Sequence, residues 1–476
     1  RLCGDSRKAR RSEAQSSVPG GVEDAASPSL PGGTGEAASR PHSEPAKGTP
    51  PSPAGGTGEA ASRLHSDSAK GTIHPPPAGQ AKPHPASTVI RRKEPSTPRR
   101  AGQAKPHPAL HNVPPPSFIQ ENNMNQYKKW LLLFFAALIT ALLAITALVL
   151  TVDPFFQYHA PLPGYPYKVD NQLSQNPGMA RHLDYDSVLL GSSMTASFDT
   201  DWFGEVLDLN TVKLSYNGAL PKDEANIMDI IFDAKQDTVK TIFMALDQNT
   251  LSAGTEETKF PIPEYLYDKN PFNNIQYVFN KDVLLNYILK PLADPTERTD
   301  WTQLYKPWWT DQYYTKANVL MYYTPAEEAD EEMPEDLFLS GTTANLDQNI
   351  CPYIEAHPET EFIFFYPPYS ILYWNDVMRQ KQLDAEIAEL KYVTERLLSY
   401  DNVRMFCFQN QRDIVCDLNN YADYTHYHAD VCRYIVECFA SGECELTMEN
   451  YEEVFADLAE LASTYDYEAI YDNWYE

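Results

Sequence analysis

The hydrophobic positions along the chain fall into three regimes. Up to about residue 123, Pro, Gly, Ala and Ser dominate, and aromatic or β-branched clusters are almost absent. From Trp130 to Val152 run 23 residues without a charge and without a polar face. From about Val169 onward, short apolar runs alternate with longer stretches in which apolar residues recur every three or four positions. Five runs read as buried strands: "DSVLLGS" from Asp186, "NTVKLSY" from Asn210, "VKTIFMALD" from Val239, "TEFIFFYPP" from Thr360 and "NVRMFCF" from Asn402. Near-continuous apolar strands belong to a parallel sheet covered on both faces. "NDVMRQKQLDAEIAELKYVTERLLSY" from Asn375 predicts one long amphipathic helix. A second helix is expected from Pro221, and a third over "TMENYEEVFADLAELASTY" with Thr447 as N-cap. The alternation predicts a doubly wound α/β layer fold with five mostly parallel strands. In such sheets ligands bind beyond the carboxyl ends of the strands.

Composition separates the first regime from the rest. A segment this poor in apolar clusters does not bury enough surface to offset the entropy of ordering, so residues 1–123 read as a disordered tail. The tail also repeats itself: "GGTGEAASRPHSEPAKGT" returns as "GGTGEAASRLHSDSAKGT", and "AGQAKPHPA" occurs twice. Such short repeats mark low complexity, not a solenoid. Met124 stands just before the apolar run, so a start of translation there is one reading of the tail. The net charge of −28 is uneven. The tail carries about 16 Lys and Arg against about 10 Asp and Glu, and the remainder about 22 against about 56. Phosphate binding needs basic clusters, so the acidic part is not expected to bind nucleic acid.

A helix of 23 apolar residues spans the roughly 30 Å of a bilayer core. Lys128 and Lys129 precede the run and Asp153 follows it. The positive-inside rule then places the N-terminus in the cytoplasm and residues 153–476 outside. Residues 128–152 are too long for the apolar core of a cleaved signal peptide and read as an uncleaved single-pass anchor. Six of the seven cysteines (Cys351, Cys407, Cys416, Cys432, Cys438 and Cys444) fall in the outer part and could pair in 15 ways. No CxxC spacing indicates a zinc site, and no other cofactor is implied.

The strand ends carry the candidate chemistry. The first ends in Gly191-Ser192-Ser193-Met194, the second near Asn217-Gly218, and the third in Asp247-Gln248-Asn249. The fourth ends in Tyr366-Pro367-Pro368-Tyr369-Ser370. "NNYADYTHYHADV" follows the fifth and contains Asp423-Tyr424-Thr425-His426. A serine hydroxyl is a poor nucleophile until a histidine takes its proton. That histidine needs a carboxylate to fix its tautomer, and N–H donors must meet the oxyanion. His426 and His428, with Asp430 nearby, form an H-x-H pair that offers a metal-hydrolase alternative. The aromatic segment from Tyr305 reads as a sugar-stacking face or as core, and "PAEEADEEMPED" from Pro325 as a solvated loop.

This ordered set resembles the SGNH/GDSL hydrolase family. It is most similar to the membrane-anchored, extracytoplasmic members of Firmicutes-like bacteria. The narrower likeness rests on "DPFFQYHAPL", "GSSMTASF", "PEYLYDKNPFNNIQYVFNKDVL", "FFYPPYSILYW" and "NYADYTHYHADV", and covers most of residues 124–476. The resemblance implies a flavodoxin-like three-layer α/β/α fold and ester hydrolysis or acyl transfer, here on envelope glycans or other acylated substrates. It implies Ser193 as nucleophile, His426 as base and Asp423 as its orienter. The backbone N–H groups of Ser193 and Gly218 would form part of the oxyanion hole. Two positions depart from the family's pattern. Ser192 replaces the Asp of its first block. Asp247 stands where the family supplies an Asn donor, so a protonated Asp247, a substitute such as Asn249 or Asn217, or the backbone alone would have to serve in the oxyanion hole. Losing one such donor typically costs about 10²–10³ in rate. Asp247 therefore keeps open a non-catalytic scaffold or glycan-binding role on the same fold.

Overall fold

A computed structural model describes residues 117–307 and 310–472. The readings of the tail up to residue 116, and the Trp308-Trp309 pair, lie outside the described residues.

The apolar run lies in a single helix, α1 (Ser117–Val152), which starts seven residues inside the stretch that composition assigns to the tail. Its part from Met124 to Val152 is long and apolar enough to cross a membrane, and most of that surface is exposed. Its last turns differ: Val149 and Val152 are buried against the domain that follows. Asp153 then ends the helix at φ 46°. Its buried carboxylate accepts hydrogen bonds from the N–H groups of Tyr158 (2.6 Å) and His159 (3.1 Å) and from the Tyr277 hydroxyl (2.7 Å). This junction fixes helix and domain together.

Among the described residues six strands form one sheet in the order β2-β1-β3-β4-β5-β6. β1 (Ser187–Leu190), β2 (Thr211–Lys213), β3 (Thr241–Ala245), β4 (Glu361–Tyr366) and β5 (Val403–Cys407) run parallel and match the five apolar runs. The expected count of five omits β6 (Glu445–Leu446), a two-residue strand antiparallel to β5. Two residues carry too little pattern to read. The central strands are buried along nearly their whole length, because helices cover both faces.

On one face α3 (Asp201–Leu207) packs against the helix Ala429–Ser441. On the other lie α2 (Gln172–His182), α4 (Pro221–Lys235), the helix Leu383–Leu397 and the helix Tyr451–Thr464. This partition is what right-handed crossovers dictate for the strand order. The long β3–β4 connection contributes α5 (Gln248–Leu251), α6 (Ile275–Val278) and a π-helical stretch, Val283–Leu289. The remaining major helices are α7 (Ile371–Arg379), α8 (Leu383–Leu397), α9 (Ala429–Ser441) and α10 (Tyr451–Thr464).

Two local expectations need correction. The single helix expected from Asn375 is two, α7 and α8, parted at Gln380–Gln382, where Lys381 takes φ 53°. The apolar period runs through the break and conceals it. α10 begins at Tyr451 with Asn450 as its cap, while Thr447 accepts the Glu449 N–H one turn earlier. Cys351, Cys407, Cys416, Cys432, Cys438 and Cys444, whose pairing the sequence leaves open, are free thiols.

Candidate active site

β1 is buried throughout, and so are its neighbours to Ala196, with Ser193 alone half-exposed. Gly191 makes this exposure possible. Its φ of +139° turns the chain off the strand, and a Cβ there would lie 2.8 Å from Thr195 Cγ2 and 2.9 Å from Ala245 Cβ. The next residues form one 3₁₀ turn, Ser193–Thr195, whose first residue presents its side chain outward. Thr195 locks the turn: its hydroxyl donates to Ser192 O (2.9 Å) and lies 2.5 Å from the Ser215 hydroxyl.

Asp423 and His426 come from a closed loop after β5. Tyr421 and Tyr427 pair in an antiparallel bridge, and Ala422 N–H donates to His426 O (2.9 Å). Asp423 Oδ1 accepts from the N–H groups of Thr425 (2.9 Å) and His426 (2.8 Å), so the acid itself folds the loop. Its other oxygen, Oδ2, lies 2.7 Å from His426 Nδ1. His426 Nε2 lies 2.8 Å from Ser193 Oγ. The structure thus brings together three side chains that the sequence separates by 233 and 3 positions. The exit from β4 holds the loop in place: Tyr421 donates to Pro368 O (2.9 Å) and Ser370 to Tyr424 O (2.5 Å).

The electrostatics follow from this geometry. Burial pushes the Asp423 carboxyl up, but the imidazole and three hydrogen bonds outweigh it and hold the group down at about 2. Burial alone would lower the His426 pKa. The facing Asp423 carboxylate and the more distant Asp247 overcome that and raise it above its ordinary value. A neutral His426 in this geometry donates from Nδ1 to Asp423 and accepts the Ser193 hydroxyl proton at Nε2.

The candidate oxyanion donors sit on neighbouring strand ends. Tyr216 N–H donates to Gly191 O (2.9 Å), clamping the β2 exit against the β1 exit. Neither the Ser193 nor the Gly218 N–H has an acceptor among the described residues. Gly218 has φ +71°, and Lys259 crosses it with Cε 3.0 Å and Nζ 3.4 Å from where a Cβ would stand. Asp247 is buried at the end of β3 and is placed as an acceptor, not as a donor. It takes the Tyr369 hydroxyl at 2.5 Å, and both the hydroxyl and the backbone N–H of Ser192. Burial raises its pKa against these hydrogen bonds. Asn249 is exposed on α5, and Asn217 is exposed with its Oδ1 receiving Gln172 Nε2 (3.2 Å).

No protein-family model matches the chain, and no curated protein matches it significantly. The site therefore rests on its own geometry.

The remaining candidates are placed elsewhere. His428 caps α9 by accepting the Asp430 N–H at Nδ1 (3.1 Å), with Tyr314 packed edge-on against its ring. Among the described residues no three His, Cys, Asp or Glu side chains converge in a metal-binding arrangement. Tyr305 is tied inward, its hydroxyl 2.6 Å from Asn176 Oδ1. A broad cleft lined by Asp201, Glu205 and Asp208 lies at the amino ends of β1 and β2, away from the triad.

Sequence reasoning missed Lys213. Fully buried on β2, it donates to Ala196 O (2.8 Å) and Phe198 O (2.6 Å), the carbonyls that follow the Ser193 turn. Burial lowers its pKa to about 7. A lone lysine inside "TVKLSY" was the available signal, because an apolar strand tolerates a lysine only where partners await it.

Proposed function

We propose that residues 153–476 form a membrane-tethered, SGNH-like domain that hydrolyses or transfers acyl esters through Ser193. The observation that carries this reading is the linear relay from Ser193 Oγ through His426 to Asp423, with distances of 2.8 and 2.7 Å at a half-exposed serine. The order β2-β1-β3-β4-β5 supports the flavodoxin-like assignment, and the triad lies beyond the carboxyl ends of β1 and β5, as such folds require.

In the proposed reaction His426 Nε2 takes the hydroxyl proton as Ser193 Oγ bonds to the ester carbonyl carbon. The carbonyl π electrons move to oxygen, and that oxyanion meets the Ser193 and Gly218 N–H groups. Collapse breaks the bond to the alcohol oxygen, which leaves with the proton held by His426. Water or an acceptor hydroxyl then attacks the acyl-serine by the same steps in reverse. Asp423 stays ionised throughout and stabilises the imidazolium. Asp247 is a positioning residue: through Ser192 it fixes the backbone from which Ser193 projects.

The apolar helix α1, with the outward placement that Lys128 and Lys129 predict for the acidic domain, favours an acylated envelope glycan as the substrate class. Asp247 also favours a second reading, a scaffold that keeps the fold with little chemistry, because an acceptor stands where a third donor would help.

The test is turnover of a p-nitrophenyl ester by the full chain in detergent. Hydrolysis that falls to the buffer rate in both Ser193→Ala and His426→Ala is expected. A rate unchanged in Ser193→Ala overturns the reading, and a folded wild-type chain with no turnover favours the scaffold.

A further inference from the structure

We propose that α6, the π-helical stretch and the turn after it form an in-plane collar that lies in the outer leaflet of the membrane that α1 crosses. The starting point is a mismatch of lengths. From Trp130 to Val152 the helix is about 34 Å long, slightly more than a hydrocarbon core. Yet Val149 and Val152, within that length, are already buried against the domain. Whatever covers them sits at the level of the membrane. The elements packed on α1 are α6 and the π-helical stretch.

These elements expose large apolar side chains on the side away from the domain as well as burying them toward it. Tyr277, Val278, Val283 and Ile288 face the domain and are buried. The opposite side should be polar if it met water. Instead it carries Phe272 (88% exposed), Ile275 (60%), Phe279 (43%), Leu285 (51%), Leu289 (44%) and Leu292 (52%), with Gln276, Lys281, Asp282, Asn286 and Lys290 exposed between them as at a headgroup boundary. Ile275 and Phe279 are four apart, and Leu285, Leu289 and Leu292 follow at four and three, so each group shares a helix face. Exposed apolar patches of this extent on a folded domain mark an interaction surface. Helices of this pattern lie along the boundary between headgroups and acyl chains.

The occupant is lipid, because these elements pack on the last turns of a helix long and apolar enough to cross a membrane, so their exposed apolar side chains lie beside its exposed apolar surface. Tyr158, half-exposed with its ring 6.1 Å from that of Tyr277, supplies the amphipathic aromatic usual at an interface. The junction at Asp153 makes the contact rigid: Tyr277 of α6 holds both the Asp153 carboxylate (2.7 Å) and the Phe155 N–H (3.1 Å). The collar then holds the domain in one orientation on the membrane. The inference rests on α1 crossing a membrane and is independent of the serine chemistry.

The test places a photoactivatable diazirine amino acid singly at Phe272, Leu285 or Leu289 in the full chain. Leu142 of α1 and Met448, exposed after β6, serve as controls. Each protein is reconstituted in phosphatidylethanolamine–phosphatidylglycerol vesicles, irradiated and mapped by mass spectrometry. Lipid adducts at the three collar positions and at Leu142, and none at Met448, are expected. Adducts at Leu142 with none in the collar overturn the proposal. Crosslinks from the collar to a second copy of the chain, in place of lipid, overturn it too. Absence of lipid adducts at Leu142 removes its premise.

Discussion

His426 sits between two acids that act on it in the same direction. Asp423 is held ionised by the imidazole it faces, and Asp247, farther off, adds to the pull. Both raise the His426 pKa, against the burial that would lower it. The relay needs a neutral imidazole, so kcat/KM should fall as pH drops through this raised value, above the ordinary 6.5. Removing either charge shifts that acid limb to lower pH. Asp247→Asn should do so with the triad intact, and a pH profile unchanged from wild type would refute the role given to Asp247. Asp423→Asn should shift the limb further and lower kcat by about 10³- to 10⁴-fold, because an amide no longer fixes the tautomer. Measuring both profiles on one ester separates the two acids.

At the scale of elements, the exit of β2 holds more of the site than its three residues indicate. Gly218 needs φ +71°, and a methyl group there would meet Lys259 Cε at 3.0 Å. Gly218→Ala should therefore fold with a modest loss of stability, on the order of 1 kcal/mol, and lose most turnover while Ser193 remains in place. Wild-type turnover in this variant would remove Gly218 from the oxyanion hole.

Lys213 on the same strand ties the Ser193 turn through two carbonyls. Its pKa is lowered in the fold to about 7, so above that pH the folded state holds fewer protons than the unfolded one. Unfolding then takes up a proton, and stability rises with pH. Relative to Lys213→Met, the wild type should gain up to about 1.4 kcal/mol per pH unit between about 7 and 10.5. Thermal midpoints of the two proteins at pH 7 and pH 10 check this, and a constant difference would contradict it.

Across the whole molecule, legibility followed the range of the interactions involved. The five parallel strands were readable because each is a continuous apolar run that needs cover on both faces. Asp423 and His426 were readable as a pair because an acid three residues before a histidine closes its own loop. The site's supports were not readable. Asp247 meets Tyr369 across 122 positions, and Lys213 meets Ala196 across 17. Only the sheet brings these partners together. The break at Lys381 and the two-residue β6 escaped for a different reason, since neither disturbs the hydrophobic period. The collar was hidden because its residues look like core until the fold leaves one side bare.

One measurement bears most directly on the serine relay. The full chain in detergent would be treated with a fluorophosphonate, and the adduct located by mass spectrometry in wild type, Ser193→Ala and His426→Ala. A single adduct on Ser193, lost in both variants, is the expected result. A folded wild-type chain that stays unlabelled at Ser193, or one labelled equally without His426, would contradict the relay.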